Sequence, residues 1–406
     1  MTNNVKVAVI GGGIVGCSVL AALARLDWVD TLLIEKRDLT SGSTWHAAGN
    51  TTHFGPHAEM TRLFVDSINC YLHAQDETGQ DVGFHKTGSL RLATSEAELA
   101  MFHSLVEQYK TLNVPYKVVS NEEAKELHPL LSTKDLYGAA STPADGHVDA
   151  YSATVALAKQ ATRRGAEIWR HTPVERIEFL RGKWCLHTAK GQVWAEHVVV
   201  ATSFWARELL EPLGINLSVY ALQHHEIITA AIPELEAREA EVPAIRDSVA
   251  SCNVRQEGHG FLCGIYEPNP KFWEVDGIPK DFGEELLPPE FERLEPYLKK
   301  VIDKLPAFGE AGIKKVNNGP ICYTPDGCPL LGPLQGMKGL WLATGFNVGI
   351  GTGGGSGQFL AHWITKGKPP FDLSIVYPNR FSNTLQRDEC LAQISKVYAK
   401  AYRLDS

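Results

Sequence analysis

Long apolar runs are missing: no stretch approaches the roughly 18 consecutive apolar residues that a bilayer-crossing helix needs. The first apolar strand opens at Val5, which leaves no room ahead of it for a cationic segment followed by a signal-type apolar stretch. The expectation is a soluble, cytoplasmic protein with no membrane partner; a cleaved organellar transit peptide would leave no trace here. A basic surplus is also missing. Lys and Arg number 39 against 47 Asp and Glu, a formal charge of -8, which argues against a nucleic-acid partner because phosphate backbones are met by basic faces. There is no low-complexity block and no repeat at solenoid period. The eight cysteines form no CxxC pair and no zinc-like spacing, so they read as reduced core thiols and no metal site is expected.

What is present is an ordinary globular mix, 44% hydrophobic and 21% charged, in 406 residues. At about 100 to 200 residues per domain, that is enough for two. The β-branched run Val5 to Ile10 breaks at three glycines, after which Val15, Val19, Leu23 and Leu26 recur at helical spacing. Strand, tight turn and helix follow one another. The turn carries Gly11-x-Gly13-x-x-Gly16, whose glycines permit a sharp bend, close approach of a pyrophosphate and close helix packing. A second apolar strand, Thr31 to Ile34, ends at Glu35, where a carboxylate can accept from adenosine ribose hydroxyls. A free 2′-hydroxyl is implied, which disfavours NADP.

Residues 40 to 55 are rich in Gly, Ser and Thr, a loop suited to backbone contact with a ligand, and His46 sits inside it. By chemistry alone His46 is a general base, a covalent attachment point or a satisfied buried side chain, and spacing does not choose among these. The stretch Leu39-Thr40-Ser41-Gly42-Ser43-Thr44-Trp45-His46-Ala47-Ala48-Gly49, with Gly11 to Gly16 and Glu35-Lys36, resembles the flavoprotein region of the dimethylglycine and sarcosine dehydrogenases. These belong to the glycine oxidase and D-amino-acid oxidase superfamily. The resemblance continues through Gly83 to Ala93 and Asp145 to Tyr151 and covers essentially the whole chain.

That resemblance implies an FAD, tethered through His46 to the flavin 8-methyl carbon. It places Gly11, Gly13, Gly16, Glu35, Lys36, Ser43, Thr44, Ala48, Gly49 and Val174 around the cofactor. It also places the flavin beside Gly345, Phe346, Gly349 and Ile350, where glycines opening a helix expose N–H groups and the positive dipole end to charge developing at N1 and O2. A histidine in a Gln-His segment and a tyrosine in a Gly-x-Tyr segment line the family's substrate pocket, matching His224 and Tyr266 as catalytic residues. Here His225-Glu226 replaces the more usual Gln-Tyr. Arg246 and Arg255 are candidates for binding a substrate carboxylate, with no basis for choosing between them.

Pattern reading supplies the architecture. Met60 to Thr78, Glu96 to Thr111, Tyr151 to Arg164, Glu285 to Leu305 and Gly353 to Lys366 read as helical. A meander is expected over Val174 to Phe179, Lys183 to Thr188 and Gln192 to Ala195, then a separate buried strand from His197 to Thr202. From Tyr220 the pattern turns to antiparallel strands, Glu226 to Thr229, Ser251 to Arg255 and Gly260 to Tyr266. The fold expected is α/β: a Rossmann-like FAD-binding domain over residues 1–84, 145–219 and 320–372, and a substrate domain on an antiparallel sheet over 85–144 and 220–319. Residues 373–406 are expected as a polar tail, a helix packed on the surface.

Oxidising an N-methyl amine needs a hydride acceptor, which no side chain provides and the flavin does. The function implied by the resemblance is FAD-dependent N-demethylation of a dimethylglycine- or sarcosine-type amino acid, giving formaldehyde and the demethylated amine, with oxygen or an electron-transfer protein as acceptor. Two other readings stay open: oxidation of another secondary or tertiary amine or a cyclic imino acid, and a flavoprotein subunit that needs a partner chain. Larger family members continue into tetrahydrofolate-binding regions, so the expectation is either a sequence cut from a longer chain or another polypeptide, a folate-binding partner chain, that handles the one-carbon product; a homo-oligomer is the other partner considered.

Overall fold

A computed structural model describes residues 3–55, 58–381 and 385–402. Pro56 and His57, next to the glycine-rich loop, lie outside the described residues. The β-branched strand Asn3–Ile10 is central to the first sheet, paired in parallel with Thr31–Ile34 on one side and Gly191–Val200 on the other. Glu167–Trp169 and Leu340–Thr344 extend it in parallel, and Leu330–Pro333 closes one edge antiparallel. Its side chains alternate between two cores. Val7, Val9, Leu33 and Val199 pack with the helices Ile14–Arg25, Ala150–Arg163 and Gly349–Lys366, while Ala8, Ile10, Leu32 and Val200 pack with Phe204, Leu210 and Trp184 on the other face. Burial on both faces is why these strands read as continuous apolar runs.

The second sheet runs, in spatial order, Phe272–Trp273, Tyr220–Thr229, Gly260–Ile265, Cys252–Glu257, Ala244–Asp247, Ser89–Ala93, Gly138–Thr142 and Lys117–Val119. Ile313–Tyr323 pairs along the full length of the Tyr220 strand. All pairings are antiparallel except that of Ala244–Asp247 with Ser89–Ala93. One face covers its own core, built from Ile227, Val254, Cys263 and Phe261.

Several elements differ from the sequence expectation. The meander and the buried strand after it are one strand, Gly191–Val200, because the hairpin Lys183–Thr188 pairs straight onto its first half while its second half enters the parallel sheet. The helix expected over residues 96–111 breaks at Leu105, whose N–H turns to Phe102 O, three residues back, leaving Glu96–Ser104 and Val106–Thr111. Between 285 and 305 only Glu295–Lys304 is α-helical, preceded by a short turn at Phe291–Arg293; Pro288 and Pro289 donate no backbone hydrogen bond, whereas Pro296 fits a first turn. The last long helix starts at Gly349, four residues earlier than its periodicity suggests. The tail does form a helix packed on the surface, with one face buried. Its helix Arg387–Ala399 buries Cys390, Ile394 and Tyr398, which follow one another at i, i+4 and i+8, against Tyr220, Leu222 and Tyr323 of the second sheet.

Candidate active site

The glycine turn after the first strand bends sharply at Gly11, whose φ is 109° and where a Cβ would stand 2.4 Å from Ala201 O. Glu35 reaches back to this turn: its carboxylate accepts from Gly12 N at 2.6 Å and Arg37 N at 2.8 Å. Burial pushes the Glu35 carboxyl up, and those backbone donors oppose the shift. Lys36 lies over the Trp205 ring at 3.6 Å and donates to Phe282 O, with burial lowering its ammonium to about 8. Thr44 Oγ1 accepts from Ile14 N, which ties the glycine-rich loop to the first helix.

The same loop is held from the other sheet. Ser43 donates to Pro320 O, Arg255 Nε donates to Ala48 O at 3.0 Å, and Asn50 Nδ2 donates to Asn253 Oδ1 at 3.1 Å. The His46 ring lies against Gly319, where a Cβ would stand 2.5 Å from its Nδ1. Desolvation lowers His46 to about 4, so it is neutral at pH 7, and its Nε2 is buried without a partner.

A cavity of about 1020 Å³ runs from Glu35 past His46 to the second sheet. Its floor follows from strand register, because directly opposed residues share a face. Across the sheet Asn317 pairs with Glu226, Glu226 with Gly264, Gly264 with Asn253, Asn253 with Arg246, and Arg246 with Arg91. One pleat away stand Gly319 and His224, with the Tyr266 ring 4.5 Å from that of His224. Gly264 at the centre of the floor makes room for its neighbours: a Cβ there would meet Asn253 Nδ2 at 2.9 Å and His224 Nε2 at 3.2 Å.

His224 is fixed from behind by the tail. Its Nδ1 lies 3.0 Å from Tyr398 Oη, and Tyr398 donates to Glu267 Oε2 at 3.0 Å, while Glu267 is paired with Arg293. Since the phenol has one hydrogen and gives it to a carboxylate, Nδ1 of His224 carries the imidazole hydrogen and Nε2 presents a lone pair to the cavity. Burial drops His224 to about 3, aided by His225 and His46, so it stays neutral. His225 points to the opposite face, where its Nε2 accepts from Glu290 N.

Of the two candidate arginines, Arg255 is committed to Ala48 O, Gln256 O and Glu257. Arg246 lines the cavity, is only 5% exposed, and its Nε has no partner. Arg91 beside it stacks its guanidinium on Phe54 at 3.9 Å and is lowered to about 10 by burial and by Arg246.

The sequence candidates sort accordingly. Gly11, Gly13, Glu35, Lys36, Ser43, Thr44, His46, Ala48, Gly49 and Val174 all line the cavity, Val174 near Glu35, whose O accepts from Thr172 N. Phe346, Gly349 and Ile350 line it at the start of the last long helix, where the first N–H bonded within the helix is that of Thr352. His224 and Tyr266 line the floor. Gly16 and Gly345 do not line it: a Cβ on Gly16 would sit 2.0 Å from Gly11 O, and Gly345, at φ 75°, backs onto Thr324, so both serve packing. Sequence reasoning missed Asn253, Asn317, Tyr398 and Tyr402. Period-two alternation from His224 identifies Glu226 as its neighbour on the same face, but nothing local points to Tyr398. Away from the cavity, Glu241 bridges the stacked rings of His85 and His147, at 2.6 Å and 3.1 Å.

A family model described as FAD dependent oxidoreductase matches residues 6–363. The chain belongs to that family of FAD-dependent oxidoreductases. This FAD-dependent oxidoreductase is similar to mitochondrial dimethylglycine dehydrogenase of Mus musculus, 39% identical over 97% of this chain and 46% of the relative. Against mitochondrial sarcosine dehydrogenase of Homo sapiens it is 32% identical over 95% of this chain and 42% of the relative. The chain thus spans less than half the length of these relatives. Among solved structures, L-proline dehydrogenase from P. horikoshii superposes with a TM-score of 0.80 at 27% identity, covering 94% of this chain and 98% of that one. The site of this oxidoreductase fits an FAD: the glycine turn leaves room for a pyrophosphate, Glu35 stands at one end, and the partnerless His46 Nε2 borders the same cavity. No helix among the described residues is long and apolar enough to cross a membrane.

Proposed function

We propose that this chain oxidises an N-methylated amino acid of the dimethylglycine or sarcosine type to an iminium, which water converts to formaldehyde and the demethylated amine. The observation that carries this reading is Arg246: a buried guanidinium with a partnerless Nε, in one cavity with His224 and across the floor from Glu226. Buried Asp145 acts on Arg246 by charge alone, so the guanidinium's hydrogen-bonding capacity is left unmet, and an amino-acid carboxylate can fill it in bidentate geometry. Bound FAD supplies the hydride acceptor. Gly11, Gly13, Glu35, Lys36 and Thr44 would hold its dinucleotide, and the N–H groups at Gly349 and Ile350 would face charge on the ring. Neutral His46, with Nε2 free of other bonds, is the proposed attachment point for the 8-methyl carbon. His224 Nε2 accepts a hydrogen bond from the amine, and Tyr266 closes the floor beside it.

Two measurements test this. Anaerobic bleaching of the flavin by dimethylglycine and sarcosine is expected, and a flavin left oxidised by both refutes the substrate reading. Acid precipitation should leave the pellet yellow; flavin released into the supernatant refutes the His46 tether. A second reading, oxidation of a cyclic imino acid, draws on the likeness to the P. horikoshii L-proline dehydrogenase. Bleaching by proline and not by sarcosine would select it.

A further inference from the structure

An ammonium has no lone pair to assist cleavage of its neighbouring C–H bond, so the site must hold a group that takes the amine proton before oxidation. His224 is the nearest candidate by position and a poor one by chemistry. Its Nδ1 hydrogen is held by Tyr398, and burial drops its affinity for a second proton to about pKa 3. Tyr266 faces the same cavity, but burial and the phenols of Tyr402, Tyr323 and Tyr398 push it well above its ordinary range, so as a neutral phenol it has no basic site to offer.

Glu226 is placed differently. It lies two residues from His224 on the same face of the Tyr220 strand, 8% exposed, and lines the cavity. Gly264 opposite it carries no side chain, so Asn253 and His224 close in over that position, and Arg246 stands beyond Asn253 in the same row. The row therefore puts a carboxylate at one end and a guanidinium with a partnerless Nε at the other, both lining the one cavity. That is the charge pattern of a zwitterion in reverse. We propose that Glu226 takes the proton of the substrate ammonium, leaving His224 as a hydrogen-bond acceptor that orients the amine. The proposal rests on the reading that the substrate is an amino acid oxidised at the methyl carbon on its nitrogen.

In this step the N–H bond breaks, the proton bonds to a Glu226 carboxylate oxygen, and the electron pair of the broken bond stays on nitrogen. No oxidant is consumed. Burial favours the product, because a protonated carboxyl carries no charge to desolvate. The charged groups acting on Glu226 are Arg255 and Glu257 from the strand Cys252–Glu257 and Lys315 from the strand Ile313–Tyr323, with Asn317 hydrogen-bonding to it. Desolvation outweighs Arg255, Asn317 and Lys315, and the carboxyl is pushed up to about 7. An acid poised there exchanges protons readily near neutral pH.

The test compares wild-type holoenzyme with E226Q and E226D by anaerobic flavin reduction with dimethylglycine from pH 6 to 10. For wild type, kcat/KM is expected to rise through about pH 7 as Glu226 ionises and then level off. E226Q should fall by about 100-fold at pH 7.5. It should lose the limb near 7 and climb roughly tenfold per pH unit toward the amine's own pKa of about 10, recovering as free amine becomes abundant. E226D should keep the acid limb. An E226Q enzyme that keeps both that limb and the wild-type rate overturns the proposal. Should dimethylglycine leave the wild-type flavin oxidised, the substrate reading fails instead, and Glu226 is tested by calorimetry with trimethylglycine, a zwitterion whose cation has no proton to give. Binding at pH 7 in two buffers should then release about half a proton from wild type, where Glu226 is half ionised, and none from E226Q. Equal release by the two proteins, zero included, overturns it.

Discussion

Arg246 carries the substrate reading, and its replacement should abolish the preference for an amino acid while leaving stability nearly unchanged. In the free protein its guanidinium lies buried beside Arg91, with no hydrogen-bonded acceptor among the described residues and a partnerless Nε. R246M keeps the side-chain length and removes the charge. Truncating one partner of a buried, hydrogen-bonded charge pair costs about 2–4 kcal/mol. At 1.36 kcal/mol per factor of ten, KM for sarcosine should rise roughly 30- to 900-fold. An N-methyl alkylamine with no carboxylate should lose little, so the preference for the amino acid should collapse. Removing the charge relieves the repulsion on Arg91 but takes from buried Asp145 one of the cations that hold its carboxyl low, so the two effects oppose and the melting temperature should change little. Steady-state kinetics on the two amines and a thermal melt read both effects. An unchanged KM for sarcosine, or an equal loss on both amines, would refute a carboxylate bound at Arg246.

Replacing Tyr398 with Phe removes the group that fixes His224; it should cost about 1–3 kcal/mol in urea unfolding, because His224 Nδ1 and Glu267 lose a buried partner, and slow flavin reduction while leaving flavin content intact. Gly319→Ala puts a methyl group within 2.5 Å of the His46 ring, so acid precipitation should find flavin in the supernatant, whereas Gly336→Ala, with open space around its Cβ, should not release it. Leu33→Ala, in the fully buried second strand, should cost about 2–5 kcal/mol by urea midpoint with little change in KM. The raised carboxyl of Glu226 favours the folded state while protonated; that advantage is complete below the ordinary 4.5 and fades as pH rises to about 7, so wild type should lose stability relative to E226Q across that window, as melts at pH 5 and 8 would read.

Much of the first sheet was legible because its signals are local. A β-branched strand, a glycine turn and a helix occupy about 25 consecutive residues, and Glu35 follows at the spacing a ribose-binding carboxylate takes. The loop 40–49 was legible as a ligand loop from its small residues, and its resemblance to a flavoprotein region agrees with the family match over residues 6–363. The weaker expectations fell where neighbours far along the chain decide the outcome. Whether 192–195 and 197–202 form one strand depends on which segment each half pairs with.

The sequence by itself determined the dinucleotide turn, the carboxylate after the second strand, the small-residue loop around His46, and the family. Register decided the rest. Only when Tyr220–Thr229 pairs with strands drawn from residues 244–265 and 313–323 do Asn317, Glu226, Asn253 and Arg246 fall in one row, and only the bonds Arg255 makes to Ala48 O and Glu257 on folding distinguish Arg246 from it. Tyr398 reaches His224 across 174 residues of chain, a contact made by packing the tail helix and by no local pattern. Local propensity acts over a few residues, whereas the shape and charge of a cavity are set by side chains that meet only after the chain has folded.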